Sequence, residues 1–293
     1  MNANYSEVIQ SLNIWSGETD IQVLGGGITN HNFVVTDDNK KVVVRIGQDI
    51  PEHLVIRSNE LMASQAANKV GISPKILHHE KGILVLDFIE SKTYDPELVR
   101  NNVQKIIPLI KKVHQEIPNH LIGAPMIFWV FHVIRNYANF LEDKKSKHIL
   151  RIAELLKSCK HLEKLSAPHE IVYGHNDLLA ANFLDDGSKL WLVDWEYAGF
   201  NNPLFDLGGL ASNNDFSSEQ EINLLEEYFE KKITDKLWEQ YHAMKCSSLL
   251  RETMWSMVSE ISSSLDFDYQ QYTEEYYSKY KESYDSLTKK NVL

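Results

Sequence analysis

Apolar positions along the chain change their period several times, and each change marks an element. Val8, Ile9, Leu12 and Trp15 recur at helical spacing, which predicts a lead-in helix over 5–15. Short apolar runs follow at 21–24, 31–36 and 41–46, separated by Gly25-Gly26-Gly27-Ile28-Thr29-Asn30 and by Asp37-Asp38-Asn39-Lys40. They read as three strands joined by turns. Helical spacing returns over 52–70 and is stopped by Gly71 and Pro74, the usual termination pair. Residues 83–89 (ILVLDFI) form a strongly apolar strand, and the composition then shifts to the polar Glu90-Ser91-Lys92. From Leu98 the pattern is helical. Val103, Ile106, Ile107, Ile110 and Val113 share a face, with Pro108 among them predicting a kink. Two further helices are predicted over 128–141 and 148–165. Short strands at 171–173, 182–184 and 190–193 interrupt this pattern, and Asp185-Asp186-Gly187-Ser188 joins the last two as a hairpin. The rest is helical over 218–230, 235–262 and 269–281.

A strand-rich segment with one internal helix, followed by a helix-rich segment, predicts an α+β chain in two lobes, 1–89 and 90–293. The 293 residues suffice for a sizeable core. Hydrophobic content is 43% and charged content 24%, the composition of a soluble globular chain. A net charge of −11 argues against nucleic acid and anionic membranes as partners, because both require basic patches. It suits a cationic substrate. The two cysteines, Cys159 and Cys246, lack metal-ligand spacing. The N-terminus has no basic segment leading into an apolar core, and the most apolar run, 125–134, is too short to span a bilayer. A cytoplasmic location without membrane insertion is expected.

The candidate chemistry lies in VYGHNDLLAANFLDDGSKLWLVDWEYAGFNNPLFDLGGLA, residues 172–211. Asp177 is followed five residues on by Asn182 and twelve later by Asp194. The predicted hairpin holds Asn182 and Asp194 at one end of a small sheet, with Asp177 on the loop beside it. An aspartate can accept a hydroxyl proton, while an Asn carbonyl and an Asp carboxylate are hard ligands suited to Mg2+. Kinases divide phosphoryl transfer in this way. The segment 21–46 is strand, glycine turn, strand, which fits a phosphate-covering kinase loop better than a Rossmann or Walker loop. Three glycines alone fit a plain hairpin turn equally well. Arg45 sits in an otherwise apolar strand, where a charge needs a partner. Glu60 on the following helix is its candidate partner.

HNDLLAANF followed by LVDWEYAGFNNPLFDLG resembles the choline/ethanolamine kinase family, within the aminoglycoside-phosphotransferase-like kinases. The resemblance runs from about Leu24 to about Tyr280 and is weakest between Asn101 and Leu165. It implies a bilobal protein-kinase-like fold and transfer of the ATP γ-phosphoryl group, with Mg2+, to a small cationic amino alcohol. Choline is the first acceptor it implies. Ethanolamine, thiamine or an aminoglycoside as acceptor, or a non-catalytic nucleotide-binding module, are the alternatives. Asp177 would be the catalytic base, and Asn182 and Asp194 the metal ligands. Gly26, Gly27, Thr29, Asn30 and Arg45 would meet the phosphates, with Glu60 pairing Arg45. The backbone of Asp87 and Ile89 would meet adenine. His175 and Asp206 would brace the catalytic loop. Glu196, two residues after Asp194, would touch the metal or the substrate cation, and Tyr197, Trp255 and Tyr269 would face that cation, with Glu252 on the same side of the long helix as Trp255. Val258 stands where the family carries a second tryptophan. No D-F-G or A-P-E follows, unlike a protein kinase.

Overall fold

The computed structural model describes residues 3–25, 30–38 and 40–290. Helix α1 (Ala3–Gln10) precedes strands β1 (Thr19–Leu24), β2 (His31–Asp37) and β3 (Lys40–Ile46). Helix α2 (Arg57–Lys69) then leads to β4 (Ile76–Glu80) and β5 (Ile83–Asp87). The five strands form one antiparallel sheet in the order β1-β2-β3-β5-β4. Alternation along β3 sends Val42, Val44 and Ile46 to one face, where they pack with Ile9, Leu12, Phe33, Val35 and Val85. Burying each such side chain is worth about 1.5–3 kcal/mol. The same alternation points Arg45 at the opposite face, paired in register with Leu84.

The remainder is mainly helical. It comprises β6 (Lys92–Thr93), α3 (Pro96–Asn101), α4 (Val103–Gln115), α5 (Val130–Asp143) and α6 (Ile149–Leu165). Strands β7 (Val172–Gly174), β8 (Phe183–Asp185), β9 (Leu190–Leu192) and β10 (Gly199–Asn201) follow. Helices α7 (Pro203–Asn213), α8 (Ser218–Phe229), α9 (Asp235–Ser262) and α10 (Tyr269–Lys290) complete it. The expected hairpin is β8–β9, with Phe183 opposite Leu192. Most of α9 from Tyr241 to Ser259 is buried, so this helix is the axis of the lobe. Among the described residues no helix is long and apolar enough to cross a membrane.

The last helix runs on to Lys290, beyond the expected 281, and other elements differ from expectation for local reasons. The lead-in helix ends at Gln10, and Trp15 instead folds back to donate its Nε1 proton to the Ile9 carbonyl at 2.6 Å. The helix expected from residue 52 begins at Arg57. A 3-10 turn at Pro51–His53, Leu54 at φ 60° and a bridge between Ile50 and Val55 occupy the intervening chain. Asp49 then caps the helix by accepting the Arg57 backbone N–H at 2.8 Å. Helix α7 lies in a stretch to which the apolar pattern assigned no element. Asn202 caps it by accepting the Leu204 N–H at 2.9 Å, and Pro203 occupies its first turn. The glycines serve close packing: a Cβ on Gly208 would lie 2.7 Å from Cα and 2.8 Å from N of Lys245 on α9.

Gly208→Ala is therefore expected to force α7 away from α9 and lower the unfolding free energy by about 1–3 kcal/mol in urea titration. An unchanged urea midpoint would contradict this packing.

Candidate active site

The loop after β7 is pinned before any ligand arrives. Asp206, in the first turn of α7, accepts the backbone N–H of His175 at 2.8 Å and of Asn176 at 2.7 Å. His114 Nε2 lies 3.0 Å from the same carboxylate. Burial opposes ionisation of Asp206, but the hydrogen bonds it accepts from His114 and from the His175 backbone hold its pKa below the ordinary value. Asn176 adopts φ 65° and donates its side-chain N–H bonds to the carbonyls of Tyr197 and Gly199, both at 3.0 Å. His175 reaches the Val193 carbonyl through Nε2 at 3.0 Å and packs against Trp195.

Asp177 therefore projects from a fixed backbone. Asn182 Nδ2 donates to the Asp177 carbonyl at 2.9 Å. That bond uses the amide nitrogen of Asn182 and leaves its side-chain oxygen as the donor for a cation. Asp194 sits just past β9 at φ 69°, a conformation costly for a non-glycine residue and typical of functional positions. One carboxylate and one amide oxygen, with further ligands left for phosphates and water, match the way Mg2+ is held in phosphoryl-transfer sites.

An ion network joins the sheet lobe to this loop. Arg45 Nη2 lies 2.8 Å from Asp194 Oδ1, 3.0 Å from Glu60 Oε1 and 3.8 Å from Glu196 Oε2. Arg57 Nη1 meets Glu60 Oε2 at 2.7 Å and Glu196 Oε2 at 3.2 Å. Asn30 Nδ2 donates to Glu196 at 3.0 Å. Burial disfavours charge on Arg45, yet Asp194, Glu60 and Glu196 outweigh it and raise its pKa. Burial likewise opposes ionisation of Asp194, and Arg45 overcomes it, so Asp194 stays below its ordinary pKa. Glu196 is pushed up, first by burial and then by the Asp194 charge. Arg57 escaped sequence reasoning. Its signal was the i,i+3 spacing to Glu60 on one helix.

A cleft of about 290 Å3 runs between the lobes beside Arg45, Asn182 and Asp194, and includes Asp87, Phe88 and Ile89. The Asp87 backbone N–H donates to the Lys75 carbonyl at 2.9 Å. Gly26, Gly27 and Thr29 lie outside the described residues.

On the far side of Asp177 stands α9. Trp255 is 3% exposed. Its indole N–H donates to the Tyr197 hydroxyl at 3.0 Å, and its ring packs against His53, Tyr269 and Tyr272 at 5.3, 5.9 and 6.2 Å. Tyr269 is buried, with its hydroxyl 2.8 Å from Ser263 Oγ. Val258 is fully buried. His53 is the ring that lies on Trp255, and burial, with Arg251 nearby, pushes its pKa down to about 3, so it is neutral. Burial raises the Asp177 pKa; Arg251 opposes the rise, and Glu252 adds to it. Arg251 and Tyr272 also escaped sequence reasoning. Tyr272 lies one turn beyond Tyr269 on α10, and that spacing was its only mark.

The sequence profile of the choline/ethanolamine kinase family matches residues 21–222. Over 298 residues the chain is 27% identical to a probable ethanolamine kinase of Arabidopsis thaliana, covering 89% of this chain and 78% of that protein. It is 26% identical over 207 residues to protein LicA of Haemophilus influenzae, covering 69% of this chain and 61% of LicA. The crystal structure of choline kinase LicA from Streptococcus pneumoniae shares the fold, with a TM-score of 0.81 at 23% identity over 97% of this chain and 100% of that one. The chain belongs to the choline/ethanolamine kinase family.

Proposed function

We propose that the protein transfers the γ-phosphoryl group of ATP to the hydroxyl of a small cationic amino alcohol of the choline and ethanolamine type. The observation that carries this reading is the convergence of Arg45, Asn182 and Asp194 on one cleft, with Asn182 also bonded to the backbone carbonyl of Asp177 on the adjoining loop. Asp177 orients the acceptor hydroxyl and accepts its proton. The hydroxyl oxygen bonds to the γ-phosphorus, the bond to the bridging oxygen breaks, and ADP leaves. The side-chain oxygens of Asn182 and Asp194 hold Mg2+, which neutralises charge on the phosphates when bound. Arg45, oriented by Glu60, supplies a cation to the phosphates, and the glycine turn with Asn30 covers them. The Asp87 carbonyl and the Ile89 N–H hold adenine. Trp255, Tyr197 and Tyr269 build the acceptor wall, and Glu196 adds negative potential behind it.

ATP turnover with Mg2+, assayed on choline, ethanolamine, thiamine and an aminoglycoside with product masses measured, tests this reading. An amino-alcohol phosphate formed with one ADP is expected, and EDTA should abolish the reaction until Mg2+ is restored. Phosphorylation of thiamine or the aminoglycoside alone would overturn the amino-alcohol assignment.

Asp177→Asn is expected to lower kcat by about 10^2- to 10^4-fold while leaving the KM for ATP nearly unchanged; substantial residual turnover would remove Asp177 from the base role. Arg45→Met leaves buried Glu60 and half-buried Asp194 with one cation fewer. It should raise the KM for ATP and lower the unfolding free energy by about 3–5 kcal/mol. Wild-type values for both would contradict the role of Arg45.

A further inference from the structure

The face of α9 that looks towards Asp177 carries a cation of its own. Arg251 is 3% exposed, and its guanidinium carbon lies 4.3 Å from the centre of the Tyr197 ring and 5.7 Å from that of Phe128. Its Nη1 donates to Glu252 Oε2 at 2.7 Å and lies 3.9 Å from Asp177 Oδ1. The other Glu252 oxygen accepts the Tyr272 hydroxyl at 2.8 Å. Asp177, Arg251 and Glu252 line a space of only about 10 Å3 with Asn176 and Ser248, so an acceptor enters between them only when these side chains move apart.

This arrangement treats two kinds of ammonium differently. A quaternary ammonium has no N–H and is held chiefly by free aromatic faces. Here the guanidinium of Arg251 already lies over the Tyr197 ring. Trp255 packs against His53, Tyr269 and Tyr272, Val258 is buried, and the cavity of about 280 Å3 that His53, Trp255 and Tyr269 line does not include Asp177. A carboxylate, by contrast, accepts several hydrogen bonds. Glu252 takes one from Arg251 and one from Tyr272, which fix its orientation and leave it further accepting capacity.

We infer, on the reading that the acceptor is a small amino alcohol, that Arg251 and Glu252 set its specificity: Arg251 holds the Tyr197 ring against a quaternary ammonium, and Glu252 receives an ammonium that keeps its N–H bonds. Charge-assisted N–H···O bonds are strong, and each methyl added to nitrogen removes one donor. A site built around such bonds discriminates against the analogue that lacks them. The hydroxyl end of the same acceptor points to Asp177, so Glu252 fixes the opposite end of the molecule.

The test is kcat/KM with saturating MgATP on ethanolamine, N-methylethanolamine, N,N-dimethylethanolamine and choline. The wild-type value should fall along the series, by about tenfold or more from first to last. Glu252→Gln should raise the KM for ethanolamine about tenfold or more, with a much smaller change for choline and none in the KM for ATP. Arg251→Ala, which uncovers the Tyr197 ring, should raise the choline-to-ethanolamine ratio of kcat/KM. The wild-type series needs no variant to fold. A choline value equal to or above that of ethanolamine overturns the inference while sparing the amino-alcohol reading, as do equal proportional losses in Glu252→Gln. Absence of turnover on all four acceptors overturns both.

Discussion

One guanidinium ties the two lobes to each other. Arg45 leaves the sheet on the face opposite its apolar neighbours and meets Glu60 of α2 and Asp194 of the β9 segment within 3.0 Å. Desolvating such a group is costly, and unmatched charges at this depth would not persist. The network answers that cost by surrounding two arginines, Arg45 and Arg57, with three carboxylates, Glu60, Asp194 and Glu196. The position of α2 and the aim of Asp194 therefore depend on the same charge. A ligand bearing phosphates and a divalent cation would enter a site where those charges are already arranged, which limits reorganisation on binding.

The second constraint is the backbone of the catalytic loop. Left-handed conformations at Asn176 and Asp194 carry a cost, and hydrogen bonds from Asp206, Asn176 and His175 hold them in place. Helix α7 delivers Asp206, and α7 rests on α9 through Gly208. Helix α9 in turn carries Arg251 and Glu252 to the acceptor side. Packing in the helical lobe thus reaches both ends of the proposed reaction through one pair of helices.

How much of this was legible follows from where the information lies. The proximity of Asp177, Asn182 and Asp194 was readable because they lie close in sequence, on one loop and the hairpin that follows it. Strands β1, β2, β3 and β5 were readable from apolar runs between turn residues. Helix α7 was not read, because Gly208 and Gly209 are weak helix formers locally and their use, close approach to α9, shows only in the packing. The start of α2 was misplaced because a distant cap, Asp49, and a small bridge decide it rather than propensity. Long-range partners were the least legible. Nothing in the order of residues tells that Arg251 lies over Tyr197, that His53 covers Trp255, or that Tyr272 reaches Glu252. Those contacts join elements far apart in sequence.

The most direct test of the catalytic account is the crystal structure of the protein with Mn2+ in place of Mg2+, a non-hydrolysable ATP analogue and ethanolamine. Anomalous scattering locates the metal without assumption about its ligands. The account predicts the peak between Asn182 Oδ1 and the Asp194 carboxylate, at about 2.1 Å from each, with the acceptor hydroxyl about 3 Å from Asp177. A metal held by other side chains, or a hydroxyl resting against a residue other than Asp177, would contradict it.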